Sequence, residues 1–329
     1  MSIAVSIIIS SQNRAADLRA TLASIAATRV RADMPTELLM IDNASADDTW
    51  EMMQGMRFDN MEYLPTRDMK PGKSGALNRA MARARGRVFL FTDDDVRVPA
   101  DWIGPMCEPI LSSELDGVIG GVKLAPHLER PWLKGFKRAC MAVTDDYDTS
   151  ATIMIGANMA LGRHVFDRVG GLDTELGPGA LVAGDDVLLS WQVHEAGFKV
   201  GTRLGTAIEH HPHESRLTRA AFLRRAQFEG RQEAYMFHHW LHGTMKMPWA
   251  KMKMRQARLA WKRMVAGSET RTAEGAPDWE LRLISSIGLC DQYMKELKRP
   301  RNYAKRGLKK IAAAAGRSPA EMPPVLETV

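Results

Sequence analysis

The 329-residue chain has an ordinary globular composition, 45% apolar and 26% charged, which excludes a disordered, collagenous or repeat-built protein. Three scattered cysteines, Cys107, Cys140 and Cys290, with no CxxC pair, argue against a disulfide framework or a thiolate zinc site and fit a reducing compartment. The net charge of +6 hides an asymmetry: residues 201–311 carry 23 Lys and Arg against 10 Asp and Glu, so the back of the chain favours anionic lipid, nucleic acid or phosphorylated substrates.

In chain order, residues 5–10 form a short β-branched run that reads as a buried strand, not a secretion signal. Residues 17–27 place Leu18, Leu22 and Ile25 at helical spacing. Residues 37–41 are a second apolar run, 49–56 are helical, 61–64 strand-like, 76–84 helical, and 87–92 (RVFLFT) a further buried strand. This alternation predicts βαβ units, a sheet covered by helices on both faces, and chemistry at the carboxyl edge of the strands. Beyond His213 the pattern changes to helical stretches rich in Arg, Lys and Met, notably 247–265 and 281–297, with Trp240, Trp249 and Trp261 among the charges. A Pro-containing segment around Val325 reads as a frayed tail. No apolar run is long enough to predict a transmembrane helix.

Three acidic or basic groupings carry chemistry. Asp93-Asp94-Asp95 directly follows a buried strand, where bare carboxylates need partners. Extended geometry points Asp93 and Asp95 to one side and Asp94 to the other. Two carboxylates on one side make a hard oxygen site for Mg²⁺ or Mn²⁺; the competing reading is an acidic turn before Pro99. Gly184-Asp185-Asp186 opens a helical pattern, so its acids either cap that helix or serve as a base whose proton affinity neighbouring acids raise. His210, His211 and His213 sit together, either as metal ligands or as polar loop residues.

Several stretches, in one chain order, together resemble family 2 glycosyltransferases. They are VSIIISSQNR at 5–14, LMID with Asn43-Ala44-Ser45, KSGALN at 73–78, and the DxD-like Asp93-Asp94-Asp95. Gly156-Ala157-Asn158-Met159, Gly170-Gly171-Leu172-Asp173, the ED-like Asp185-Asp186, and His210 with Arg216-Leu217-Thr218 complete the set. The resemblance spans roughly residues 3–235. It implies a GT-A fold: an α/β, Rossmann-like mixed sheet flanked by helices, followed here by a C-terminal helical extension. The implied division is 1–212 for the glycosyltransferase domain, with a nucleotide-binding half at about 1–97 and an acceptor half at about 98–212, and 213–329 for the basic helical region.

The resemblance also implies roles. Asp42 and Asn43 lie where the family contacts the base, and Lys73, Asp93 and Asp94 near the nucleotide. Asp95 would bind the metal, Mn²⁺ or Mg²⁺, and His210 matches a position that can ligate it, with His211 and His213 close enough to blur the register. Asp186 matches the catalytic base. Asp185 stands where Glu is usual, and the family's Q-x-x-R-W motif is not visible. The implied activity is inverting transfer from a nucleotide-diphosphate sugar donor to a hydroxyl of a saccharide or lipid-linked acceptor, such as a cell-envelope or extracellular polysaccharide or glycolipid precursor. That places the protein in the cytoplasm or at the inner face of the membrane, with peripheral contact through its basic helices and no nucleic acid partner. Competing readings are a metal-dependent sugar nucleotidyltransferase, disfavoured by a first loop poor in glycine, and a non-enzymatic anion- or nucleic-acid-binding protein.

Overall fold

The computed structural model describes residues 2–181 and 183–311; the tail around Val325 lies outside the described residues. The elements run β1 (Val5–Ser11), α1 (Ala15–Ala26), β2 (Thr36–Asn43), α2 (Thr49–Gly55), β3 (Glu62–Asp68), α3 (Lys73–Arg83) and β4 (Val88–Thr92). Then come β5 (Val96–Arg97), α4 (Ile103–Leu111), β6 (Gly117–Leu124), α5 (Phe136–Ala139), β7 (Asn158–Gly162), α6 (Arg163–Val169), α7 (Asp185–Glu195) and β8 (Val200–His210). Three long helices follow: α8 (Arg219–His239), α9 (Pro248–Ala266) and α10 (Asp278–Glu296).

One eight-stranded sheet has the order β3-β2-β1-β4-β7-β6-β8-β5. β3, β2, β1 and β4 are parallel, as the βαβ pattern predicts, while β7 runs antiparallel between β4 and β6 and makes the sheet mixed. The continuous apolar runs of β1, β2 and β4 follow from burial on both faces. Ile7, Ile9, Leu38, Met40 and Leu90 pack on one side with Leu18 and Leu22 of α1. Ile8, Leu39, Ile41, Phe89 and Phe91 pack on the other with Leu77 of α3 and Leu189 and Val193 of α7.

β3 extends to Asp68, four residues past the apolar run, because its whole length pairs in register with β2 from Glu37↔Glu62 to Asn43↔Asp68. Helix α3 starts at Lys73, since Gly72 closes its N-terminus and the motif residues form its first turn. β1 and β4 end side by side at Ser11 and Thr92, so the loops after them share one sheet edge.

The C-terminal helices pack against one another, α8 on α10 and α10 on α9. Gly230 of α8 allows the close crossing: a Cβ there would lie 1.9 Å from the Ser285 carbonyl oxygen of α10. Trp240 is buried, against the sequence expectation of a surface aromatic, because it packs on Trp191 of α7 with ring centroids 5.4 Å apart and donates to the Gly307 carbonyl. On α10 Leu281 is buried but Leu297, just past the helix end, is exposed, and the buried side is completed by Gly288, Tyr293 and Glu296.

Candidate active site

A cavity of about 490 Å³ opens at the carboxyl edge of the sheet, a size typical of small-molecule sites. Its lining includes Asp93, Asp94, Asp95, Asp185, Asp186 and Glu229 against Arg14, Lys73, Arg216 and Arg225, with His210 among them. Asp95 and Asp186, 91 positions apart in sequence, therefore face one cleft.

β4 stops at Thr92, so Asp94 and Asp95 lie in a turn and strand alternation does not extend to them. This overturns the expectation that Asp93 and Asp95 share a side. Asp93 takes the Lys73 ammonium, whereas Asp94 and Asp95 both turn toward Arg14, whose Nη1 donates to Asp95 Oδ2 at 2.7 Å and whose Nε lies 3.8 Å from Asp94 Oδ1. Ser11 Oγ donates to Asp94 Oδ2 at 2.6 Å, a contact set by the β1–β4 pairing. Burial and the neighbouring Asp95 charge push the Asp94 carboxyl up to about 6. Burial acts upward on Asp95 too, but the His210 contact, Arg14 and Arg216 outweigh it and hold Asp95 below the usual carboxylate range. Burial works against the Lys73 ammonium, yet Asp93 and Asp185 raise its proton affinity and keep it charged.

The two-residue strand β5 brings His210 to the triplet. Val96 pairs with His210 across β5–β8, and the His211 N–H donates to the Asp95 carbonyl at 2.7 Å. His210 is 2% exposed, with Nε2 3.3 Å from Asp95 Oδ1 and Nδ1 2.7 Å from the Met141 carbonyl. That carbonyl only accepts, so Nδ1 carries the hydrogen and Nε2 faces the carboxylate oxygen. A proton or a cation satisfies such a pair. An oxygen and a nitrogen donor, with the imidazole held in place by the Met141 carbonyl, would suit a divalent ion. Among the described residues no three His, Cys, Asp or Glu side chains group as a metal site. His211 instead contacts Glu209 at 2.6 Å, and the exposed His213 caps the following turn by accepting from the Ser215 N–H.

The acids of α7 stand at its N-terminus after Gly184, whose φ of 90° is accessible chiefly to glycine. Asp186 accepts from the Gly156 N–H at 3.3 Å and the Val187 N–H at 2.8 Å. Burial, then the Asp185 charge, push its carboxyl up to about 6 against the pull of the Gly156 N–H, Arg225 and Lys73. Asp185 accepts from Ser74 Oγ of the KSGALN segment at 3.0 Å, which ties α7 to α3.

Asn43 lines the cavity but spends its amide on backbone, donating to the Lys70 carbonyl and accepting from the Gly72 N–H, both at 2.9 Å. It thereby shapes the loop leading into Lys73. Asp42 is fully buried beneath the lining, accepting from the Ser45 N–H at 3.1 Å, with Arg67 Nε 3.0 Å from its other oxygen in an ion pair.

Sequence reasoning missed the wall built by α8, where Arg225, Glu229 and Gln232 all line the cavity. Arg225 pairs with Glu229 at 2.5 Å, and Gln232 donates to Glu229 at 2.6 Å. Their i, i+4, i+7 spacing marks a polar helix face, a signal present in the sequence but indistinguishable there from a solvated surface. Arg14 and Arg216 lay inside quoted motifs without an assigned part.

Residues 6–170, half of the chain, match the family model for glycosyl transferase family 2. The structure is similar to the mannosyltransferase PcManGT from Pyrobaculum calidifontis, solved with GDP-Man and Mn²⁺, with a TM-score of 0.61 at 18% identity over 89% of this chain and 88% of that one. It is also similar to S. aureus TarS 1–349 in complex with UDP, with a TM-score of 0.52 at 14% identity over 90% of this chain and 92% of that one. No curated protein sequence matches the chain. At these identities the two likenesses speak for the fold, which is GT-A-like in both comparisons. The family match over half of the sequence carries the assignment: the chain belongs to glycosyl transferase family 2 and is a glycosyltransferase.

Proposed function

We propose that the protein transfers a glycosyl unit from a nucleoside-diphosphate sugar to an acceptor hydroxyl with inversion at the anomeric carbon. The observation that supports it is the meeting of Asp93–Asp95 and Asp185–Asp186 in one cavity from separate parts of the chain. In this reading residues 1–97 hold the nucleotide and 98–212 the acceptor, with α8, α9 and α10 of the basic region from 213 added to them. Asn43 shapes the nucleoside end through the 70–72 backbone it holds, and Asp42, buried beneath the lining, acts there only through the Ser45 N–H and Arg67 it holds. Lys73, kept charged by Asp93, and Arg14 present cations to the diphosphate.

Asp95 and His210 would hold Mn²⁺ or Mg²⁺, which when bound supplies Lewis-acid stabilisation of the negative charge on the departing diphosphate. Asp186 takes the acceptor hydroxyl proton as that oxygen bonds to the anomeric carbon and the carbon–diphosphate bond breaks on the opposite face. One displacement inverts the centre, and no covalent enzyme intermediate forms. A carboxyl near 6 is ionised at neutral pH yet basic enough to accept a proton, which suits this role. The acceptor is a saccharide or lipid-linked hydroxyl of the cell envelope, met on the cytoplasmic side.

A thermal-shift panel of nucleoside-diphosphate sugars, with and without Mn²⁺, tests the donor. With the metal present, the matching donor is expected to stabilise the protein by about 3 kcal/mol at 100-fold excess over its dissociation constant, and by less without it. A panel in which no nucleotide sugar shifts the midpoint sinks the reading.

A further inference from the structure

The two basic C-terminal helices differ in what they cover. α10 lies between α8 and α9, with Leu281, Gly288, Tyr293 and Glu296 buried. α9 has no buried residue along its 19 residues, about 28 Å. Its inner side is engaged with α10: Arg255 donates to the Ser286 carbonyl at 3.2 Å, and the Lys262 ammonium lies 5.0 Å from the Trp279 ring centroid.

The opposite side is apolar. Met254, Trp261, Met264 and Val265 recur there at helical spacing and are 58–76% exposed, Met247 precedes them at the N-terminal end, and the exposed Trp249 lies at the flank beside Lys253. These six are most of the nine large apolar side chains exposed among the described residues, so the exposure is concentrated on one helix instead of scattered. The exposed Lys253 flanks the stripe on one side, and Lys251 and Arg258 on the other. α9 holds six Lys and Arg and no acid.

We propose that this outer face of α9 docks on an anionic lipid bilayer, lying in the interface with Trp249 and Trp261 at headgroup depth and the flanking cations against lipid phosphates. The charge decides between occupants. A second copy packing the same face on itself would oppose Lys251, Lys253 and Arg258 to the same three cations with no acid of α9 to offset them, whereas an anionic bilayer offers apolar depth and countercharge together. No helix among the described residues is long and apolar enough to cross a membrane, so this contact lies on the surface. The face sits on the far side of α10 from α8, and the inference does not rest on glycosyl transfer.

Flotation of the full chain tests it, with phosphatidylcholine vesicles and with vesicles that also contain phosphatidylglycerol. The protein is expected to float with the anionic vesicles and not with the neutral ones. Trp261→Glu combined with Met264→Glu should lower partitioning by roughly tenfold or more, and Lys251→Glu with Lys253→Glu and Arg258→Glu should remove the preference for phosphatidylglycerol. Both variants change exposed side chains only and should keep the wild-type melting temperature and nucleotide-sugar binding, which separates this result from any failure of the catalytic reading. Absence of flotation with anionic vesicles overturns the proposal, as does flotation that survives Trp261→Glu/Met264→Glu. A wild-type dimer by ultracentrifugation that the same double variant converts to monomer also overturns it, because a second copy then covers the face.

Discussion

The two acidic clusters of the cavity are built from the same residue and behave differently. In the triplet, Asp93 has Lys73, Asp94 has Ser11 with Arg14 nearby, and Asp95 has both Arg14 and His210. In the pair, Asp186 is held by two backbone N–H groups and Asp185 by a hydroxyl, and among the described residues neither forms an ion pair. Burial weakens the charged form in both places. Nearby cations reverse that effect at Asp95, while at Asp186 a second carboxylate adds to it. The difference suits the two jobs proposed for them: a group that stays anionic to grip a cation, and a group that picks up a proton. Asp94 marks the limit of compensation, since it is pushed up to about 6 beside Asp95 despite Arg14.

The sharpest way to break this contrast is Asp186→Asn. Turnover should fall roughly 100-fold or more, the usual worth of a general base, with donor affinity by calorimetry unchanged. Near-normal turnover in this variant would remove Asp186 from the role. Asp95→Ala should act on the other side of the contrast. Affinity for the nucleotide sugar in Mn²⁺ should drop at least as far as the roughly 10–100-fold that loss of an outer-shell group costs a metal site. Donor affinity in the absence of metal should change little. Titrations in which wild type and Asp95→Ala show the same response to Mn²⁺ would contradict the assignment.

Much of the contrast was visible in the sequence, and the missing part has a physical reason. The buried strands announced themselves because continuous β-branched runs mark burial on both faces, as at Ile7–Ile9. The triplet was found because it follows a strand end, where bare charge in a core would be too costly, and the pair because it opens a helical pattern. What the sequence could not supply was pairing across distance. The short β5 carries only Val96 and Arg97, too few residues for a periodic signal, yet its pairing with β8 is what sets His210 against Asp95. Strand alternation misplaced Asp94 for the related reason that β4 ends one residue before the triplet. Arg225, Glu229 and Gln232 were hidden because a polar helix face reads alike whether it meets water or lines a cleft. That the outer face of α9 is left uncovered was not legible either, since periodicity says that a face is apolar and not whether anything packs on it.

Acidity provides a graded test. With a carboxyl near 6, the ionised form of Asp186 is lost as pH falls through that value, so turnover at saturating donor should decline about tenfold per pH unit below it. A profile flat down to the ordinary aspartate value of 3.8 would deny the raised proton affinity. The same shift fixes a smaller effect on stability. Because the folded state binds this proton more tightly than the unfolded chain, the stability tied to Asp186 is present below 3.8 and is lost as pH rises through about 6. At neutral pH the charged group is therefore a burden to the fold. Asp186→Asn should raise the unfolding free energy there by on the order of 1–2 kcal/mol, and denaturant titration should show the gain vanishing below the ordinary aspartate value. Cations pull Asp95 the other way, so Asp95→Asn should destabilise the fold at neutral pH, and the opposite signs of the two variants would tie the division of labour to the charges around each carboxylate.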